Sequence, residues 1–322
     1  MLQLRSRLLL AVRQFFADRQ YCEVETPLLS GDIVVDAHLE PIEIAQPPDS
    51  PRRFLQTSPE AGMKRLLAAG SGSIFQITRS FRRNEFGKHH NSEFTMLEWY
   101  GVNTTWRDQM HLTEELVRCI HRSAATTATQ TVQDLPVHQF AQLAYDDAFV
   151  AAIGNSVLDL SVGELRQLVS EKTTGSLLAE EPYCKDDLLN LLLADRVERS
   201  LGKPAPEFLH SYPVSQAALA EQNPQDSRTA LRFELYWDGL ELCNGYQELT
   251  DPEELQRRDV QQNQLRDSHQ TSHLPGAARM LAAMQSGLPA CSGVALGFDR
   301  LIMAILGCPN IREVIAFPDD IA

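Results

Sequence analysis

The chain has 322 residues, enough to bury a full core as one large domain or two small ones, and its 43% hydrophobic content is ordinary for a globular protein. No apolar run approaches the ~20 residues that span a bilayer. A net charge of −14 works against a protein that coats nucleic acid by bulk electrostatics, although it leaves room for a local basic site.

The opening MLQLRSRLLLAVRQFF has the look of a signal peptide, but Arg5, Arg7 and Arg13 interrupt it and no small-residue cleavage site follows. The six cysteines are scattered without a C-x-x-C pair, which suits a reducing cytoplasm and argues against a disulfide framework or a zinc site.

In chain order, Leu4, Leu8, Val12, Phe15 and Phe16 fall on one face of a helix over residues 4–18. Tyr21–Pro27 reads as a short strand stopped by Pro27. A strand pair is expected around Ile33–Val35 and Ile42–Ile44, followed by a Pro-rich loop. Ser58 suits an N-cap, Pro59 the first helical position and Glu60 the positive end of the helix dipole, so capping alone explains all three.

Residues 76–100 form the most informative stretch. A strand at Gln76–Thr78 enters a loop carrying Arg79, Arg82, Arg83, Lys88, His89 and His90, and Glu93–Tyr100 returns as an antiparallel strand. Guanidinium forks match phosphoryl oxygens, so the loop fits phosphates; a solvated hairpin tip explains the same residues.

Trp106–Ser123 reads as a helix, 124–135 as a mobile connection and 137–205 as short helices, Asp186–Leu201 the clearest. Phe208–Val214 is expected to be a buried strand. In Arg232–Asp251, Asp238–Gly239 signals a two-residue type I′ turn that sets Trp237 opposite Leu240 and Tyr236 opposite Glu241. Glu234 and Glu241 then share a face, and a bulge at Asn244–Gly245 would bring Glu248 to it as well. Such carboxylates fit Mg²⁺ or a solvated acidic surface. A polar helix over 257–270 and a helix over 277–286 follow, and Cys291–Leu306 passes from a glycine-bearing strand into an apolar helix. Gly297 allows close backbone approach and Arg300 stands in the first helical turn, which suits a second phosphate clamp.

Three of these stretches, in this order, resemble the signature motifs of class II aminoacyl-tRNA synthetases: YCEVETP motif 1, FRRNE…HHNSEFTMLEWY motif 2 and GVALGFDRL motif 3. TSPE…MKRLLAAG, HNSEFTMLEWY and ELCNGYQELTD look like the lysyl subgroup. The chain starts at the helix leading into motif 1, with no sequence for an anticodon-binding domain. That shape resembles the truncated lysyl-tRNA synthetase paralogues that attach (R)-β-lysine to elongation factor P, and LEWY, QELTD and CSGVALG look closest to these. Ala295, where glycine is expected in lysyl-tRNA synthetases, is in keeping with a pocket reshaped for a β-amino acid.

The resemblance implies an α+β fold, a single class II catalytic domain over residues 1–322 with an antiparallel six- or seven-stranded sheet flanked by helices, dimerising through motif 1. It implies ATP and Mg²⁺ as cofactors, (R)-β-lysine and an acceptor lysine of elongation factor P as partners, a cytoplasmic homodimer, and no membrane or tRNA partner. Arg82 would hold the α-phosphate, and Arg83, Asn84, Asn91, Glu241, Leu242, Gly297 and Arg300 would complete the nucleotide site, with Arg82 and Arg300 catalytic. Glu234 and Glu241 would bind Mg²⁺. Ser58, Pro59 and Glu60 would receive the amino group nearest the carboxylate, and Tyr100 and Glu248, with Glu98 and Asn244, the distal ammonium. Motif 2 normally reads F-R-x-E, yet counting back from His90–Asn91 puts Asn84 where the glutamate belongs and Glu85 one place later. Which of the two reads adenine stays open. A stand-alone lysyl-tRNA synthetase-like enzyme, a silent regulatory paralogue and a plain interaction protein remain as alternatives.

Overall fold

The computed structural model describes residues 1–128, 131–173 and 183–322. The chain divides into two compact units, Met1–Asp134 with Gln247–Ala322, and Leu135–Tyr246.

The first unit opens with helix α1 (Leu2–Ala17), whose buried face is Leu4, Leu8, Val12, Phe15 and Phe16, the five residues the helical spacing selects. Phe16 stacks on Phe75 at 4.6 Å and lies 5.3 Å from Trp99, so the helix is pinned to the sheet by aromatic burial. Burying each such side chain stabilises by about 1.5–3 kcal/mol. Next come β1 (Cys22–Glu23), β2 (Leu29–Ser30), β3 (Phe54–Leu55), α2 (Glu60–Ala68), β4 (Ile74–Phe81), β5 (Glu93–Val102) and α3 (Trp106–Thr127).

The second unit holds β6 (Ala141–Ala144), α4 (Tyr145–Ile153), α5 (Val162–Lys172), α6 (Lys185–Leu192), β7 (Glu207–His210), β8 (Arg232–Trp237) and β9 (Leu240–Gln247). The chain then completes the first unit with α7 (Pro252–Ser268), α8 (Ala278–Gly287), β10 (Cys291–Gly297) and α9 (Phe298–Leu306).

Strand order is β1-β4-β5-β10 in the first unit and β9-β8-β7-β6 in the second. In both, the outermost pair is parallel, β1 with β4 and β6 with β7, while β4–β5, β5–β10, β7–β8 and β8–β9 are antiparallel. The fold is α+β, as expected, with parallel pairing confined to short edge strands. The second unit packs its helices around Tyr145, Phe149, Leu165, Leu188, Leu192 and Tyr212.

Several local expectations shift. Tyr21–Pro27 narrows to the two residues of β1. The expected strand pair at 33–44 is replaced by β2 with β3; Ile33 and Val35 are apolar because they bury against Phe54 and Leu274. Helix α2 begins at Glu60 with Pro59 as its cap, one residue later than the capping pattern indicates, and Ser58 Oγ accepts from the Glu60 N–H at 3.0 Å. Helix α3 continues to Thr127, into the expected connection at 124–135, of which residues 129–130 lie outside the described residues. The helix expected over 186–201 breaks at Leu193, where a π turn (Leu193–Val197) and a 3₁₀ turn follow α6. Within the expected helical stretch 137–205, residues 174–182 lie outside the described residues. The strand expected over 208–214 stops at His210.

Candidate active site

Strands β5 and β10 build the first part of the site. Their register sets Tyr100 opposite Gly293, Glu98 opposite Ala295 and Met96 opposite Gly297. Side chains alternate between faces, so the residues beside Glu98 and Tyr100 on β10 are all small. The large residues Leu97, Trp99, Val294 and Leu296 point to the buried side with Phe75. A Cβ on Gly293 would lie 2.5 Å from the Tyr100 ring and 2.7 Å from Glu248 Oε1, so only glycine leaves these two side chains their places.

On this face the acidic residues converge. Ser58 Oγ donates to Glu98 Oε2 at 2.7 Å and the Tyr100 hydroxyl donates to Glu98 Oε1 at 2.6 Å. Lys64, on α2 and 1% exposed, pairs with Glu60 at 2.7 Å and with Glu248 at 2.6 Å. Burial alone would push the Lys64 pKa down, but the charges of Glu248 and Glu60 overcome it and hold the ammonium charged. Burial, reinforced by the negative charge of Glu60, pushes the Glu98 carboxyl up to about 8, against the lowering effect of its two hydroxyl donors. Burial likewise holds the Tyr100 phenol well above its usual range, as a donor. Ser58, Glu60, Glu98, Tyr100 and Glu248, expected from the sequence, are thus gathered around one buried polar centre, with Pro59 setting the turn into α2.

Lys64 and Gly293 were not expected. A lysine in GMKRLL reads as a solvent-facing helix residue. The available signal is its position four residues after Glu60 and three before the buried Leu67, which puts it on the inward face of α2.

The motif 2 loop supplies the second part. Arg82 lies over the Phe94 ring at 5.1 Å and pairs with Glu85 at 3.4 Å, while its buried Nε has no hydrogen-bond partner among the described residues. Asn84 takes the left-handed conformation at φ +63°, which asparagine tolerates, and this turn brings Glu85 back beside Arg82. Glu85, therefore, is the acid that meets the motif arginine. Arg83 is exposed and its backbone N–H donates to the Glu40 carbonyl at 2.8 Å. The Asn91 amide donates to the Glu93 carbonyl and to Asp319 Oδ1, and its oxygen accepts from the Asp319 N–H. The Asn91 side chain is thus held by Asp319 from both its donor and its acceptor end.

Gly297 caps α9, and Arg300 in its first turn donates to the His89 carbonyl at 3.3 Å and to His90 Nε2 at 2.5 Å. Burial and the Arg300 charge push the His90 pKa down, which keeps its ring a neutral acceptor. Asp299 beside it is 2% exposed and fixes the turn, accepting from the Thr95 N–H at 2.7 Å and pairing with Arg5 at 2.6 Å.

In the second unit the β8–β9 hairpin turns at Asp238–Gly239, with Trp237 opposite Leu240 and Tyr236 opposite Glu241 as expected. The bulge is real but lies earlier than Asn244–Gly245: Leu235 pairs with Cys243, leaving buried Leu242 as the extra residue. After it, Asn244 faces Glu234 and the alternation is restored. Glu234 Oε2 accepts from the hydroxyls of Tyr212 and Tyr236 at 2.5 and 2.7 Å, and Oε1 accepts from Arg232 at 2.5 Å. Burial first, then the charge of Glu241, raises the Glu234 pKa. Two carboxylates repelling each other on one face are hard oxygen donors that a small divalent cation suits. No group of three or more His, Cys, Asp or Glu side chains able to hold a metal occurs among the described residues. A carboxylate pair completed by substrate phosphates is the arrangement Mg²⁺ favours.

Residues 1–321 match the family model for class II tRNA synthetases (D, K and N). The chain is 43% identical to the elongation factor P–(R)-β-lysine ligase of Vibrio campbellii, over 100% of this chain and 96% of that protein. It is 42% identical to the enzyme of the same name from Salmonella gallinarum, over 98% and 94%, and 40% identical to that of Yersinia pestis, over 99% and 94%. With its three motifs in order and its acidic pocket on the β5–β10 face, the chain belongs to the class II tRNA synthetase family.

Proposed function

We propose that the chain is an ATP-dependent ligase that activates (R)-β-lysine as an acyl-adenylate and transfers it to a lysine side chain of elongation factor P. The observation that carries this reading is the buried pocket of Glu60, Glu98, Tyr100 and Glu248, whose excess of carboxylates over its single lysine suits a substrate bearing ammonium groups. The names of the full-length relatives support the same substrate and acceptor.

In the first step a carboxylate oxygen of the substrate attacks the α-phosphorus of ATP, the bond to the bridging oxygen breaks, and pyrophosphate leaves. In the second the ε-amine of the acceptor attacks the acyl carbon, an amide forms, and AMP leaves with loss of the amine proton. Arg82 and Arg300 neutralise the phosphate charge that shifts during both steps; Arg82 stays positioned by Phe94 and Glu85, and Arg300 exchanges His90 for phosphate. Arg83, Asn84, Asn91, Leu242 and Gly297 complete the nucleotide site. Ser58, Pro59 and Glu60 receive the amine nearest the carboxylate, while Tyr100, Glu98, Asn244 and Glu248 receive the distal ammonium. Glu234 and Glu241 hold Mg²⁺, which neutralises the triphosphate when bound.

The uninterrupted family match supports reading both units as parts of one catalytic domain. We infer a homodimer formed through the Tyr21–Pro27 region, supported by exposed Leu2, Leu10, Leu28 and Leu29 on neighbouring segments. A cytoplasmic location is supported by six free cysteines and by the lack, among the described residues, of any helix able to cross a membrane. The charge of −14 supports an acceptor other than tRNA.

ATP–pyrophosphate exchange without tRNA tests the reading. Strong exchange with (R)-β-lysine, weak exchange with L-lysine, and none in a folded Arg300→Ala variant are expected. Preference for L-lysine would move the chain to the synthetase-like class, and silence with both would sink the proposal.

A further inference from the structure

The chain beyond α9 grips the return of the motif 2 loop at two points. A 3₁₀ turn at Ile311–Glu313, seated by buried Ile311 and Val314, presents the Ile311 N–H, which donates to the Lys88 carbonyl at 2.7 Å. Further along, the Asp319 carboxylate accepts from the Asn91 amide at 3.0 Å and from the Ser92 N–H at 2.8 Å, while the Asp319 N–H donates to the Asn91 oxygen at 3.0 Å. Between the two grips stand His89 and His90, against which Arg300 rests. Ser92 in turn accepts through its carbonyl from the Arg82 N–H at 2.9 Å. Arg82 by its backbone and Arg300 by its side chain therefore both bear on residues 88–92, the stretch that this segment holds.

Resting on the nucleotide site proposed above, we propose that Asp319 is a positioning residue for ATP, acting through Asn91 and Ser92. An asparagine amide has a donor end and an acceptor end of nearly the same shape, and only its partners decide which way round it stands. Asp319 offers Asn91 an acceptor and a donor side by side, so a reversed amide would set N–H against N–H and oxygen against oxygen. The Glu93 carbonyl, which takes the second amide hydrogen at 2.8 Å, selects the same orientation. Asn91 is 6% exposed, so water is a poor substitute for these partners. The bond from the Ser92 N–H is charge-assisted, and it reaches the Arg82 backbone through a single residue. Fastening a surface segment is the lesser reading. It accounts for the Arg312–Asp320 pair at 2.6 Å, which is half-exposed on both sides and contributes little. It does not account for a carboxylate and an N–H of one residue both committed to the Asn91 amide.

Titration calorimetry of ATP with Mg²⁺, and separately of (R)-β-lysine, into the intact protein and its Asp319→Ala, Asn91→Ala and doubly substituted variants tests the assignment. Loss of the charge-assisted bonds in Asp319→Ala should weaken ATP binding about tenfold and leave (R)-β-lysine binding within about twofold. Because Asp319 acts through Asn91, the double variant should lose clearly less than the product of the two single losses. Asp319→Asn keeps the backbone donor and one acceptor, so it should fall between wild type and Asp319→Ala, and it carries the test if the alanine variant does not fold. Unchanged ATP binding in the Asp319 variants, equal losses for both ligands, or full additivity with Asn91→Ala would each overturn the proposal while leaving the proposed function intact. A wild type that binds no ATP would overturn both.

Discussion

Lys64 is an ammonium with almost no contact with water, and its stability rests on two carboxylates reached from different parts of the chain, Glu60 one helical turn away and Glu248 far along the sequence. Removing one member of a buried ion pair leaves the others uncompensated, which typically costs about 3–5 kcal/mol. Lys64→Met should therefore lower the unfolding free energy in urea by about that much; a loss under about 1 kcal/mol would mean that water already reaches the two acids. Sequence reasoning found the acids and missed the base for a physical reason. Glu60, Glu98, Tyr100 and Glu248 are legible from the resemblance to the lysyl subgroup, and acidic and phenolic residues are what a buried ammonium needs. The burial of Lys64 depends on Glu248, which no local pattern connects to α2. Arg300 was legible from its place after a glycine-bearing strand, whereas its resting partner His90 was not, because the two meet only through tertiary structure.

Paired strands decide what the site can hold. The β5–β10 register places Gly293 where a methyl group would collide with both Tyr100 and Glu248. Gly293→Ala should raise the KM for the amino acid at least tenfold with a much smaller change in the KM for ATP; equal effects on both would indicate general disruption of the strand. The hairpin shows how far local sequence reaches. Asp238–Gly239 specifies its turn within two residues, so the first two pairs were predicted correctly. The bulge was expected at Asn244–Gly245, where glycine invites it, but it forms at Leu242, which buries its side chain there. Burial of one leucine outweighed the conformational freedom of glycine, and period-two alternation cannot say where an extra residue enters. The capping of α2 slipped by one residue on similar grounds: Ser58 makes its hydrogen bond to the helix and also donates to Glu98, so its position answers to the site as well as to the helix.

At the scale of the whole chain, three motifs in order and a continuous family match explain why the fold class was legible, while the short parallel edge strands, two to four residues long, were below what alternation can detect. The acidic balance of −14 and the carboxylate-rich pocket belong to different levels: one is spread over the chain, the other is local, and the proposed function gives it a small cationic substrate. The decisive measurement is mass spectrometry of elongation factor P after incubation with this protein, ATP, Mg²⁺ and (R)-β-lysine, run beside an aminoacylation assay with total tRNA. Attachment of one β-lysyl group to a single lysine of elongation factor P, with no charged tRNA, is expected; unmodified elongation factor P alongside charged tRNA would contradict the assignment.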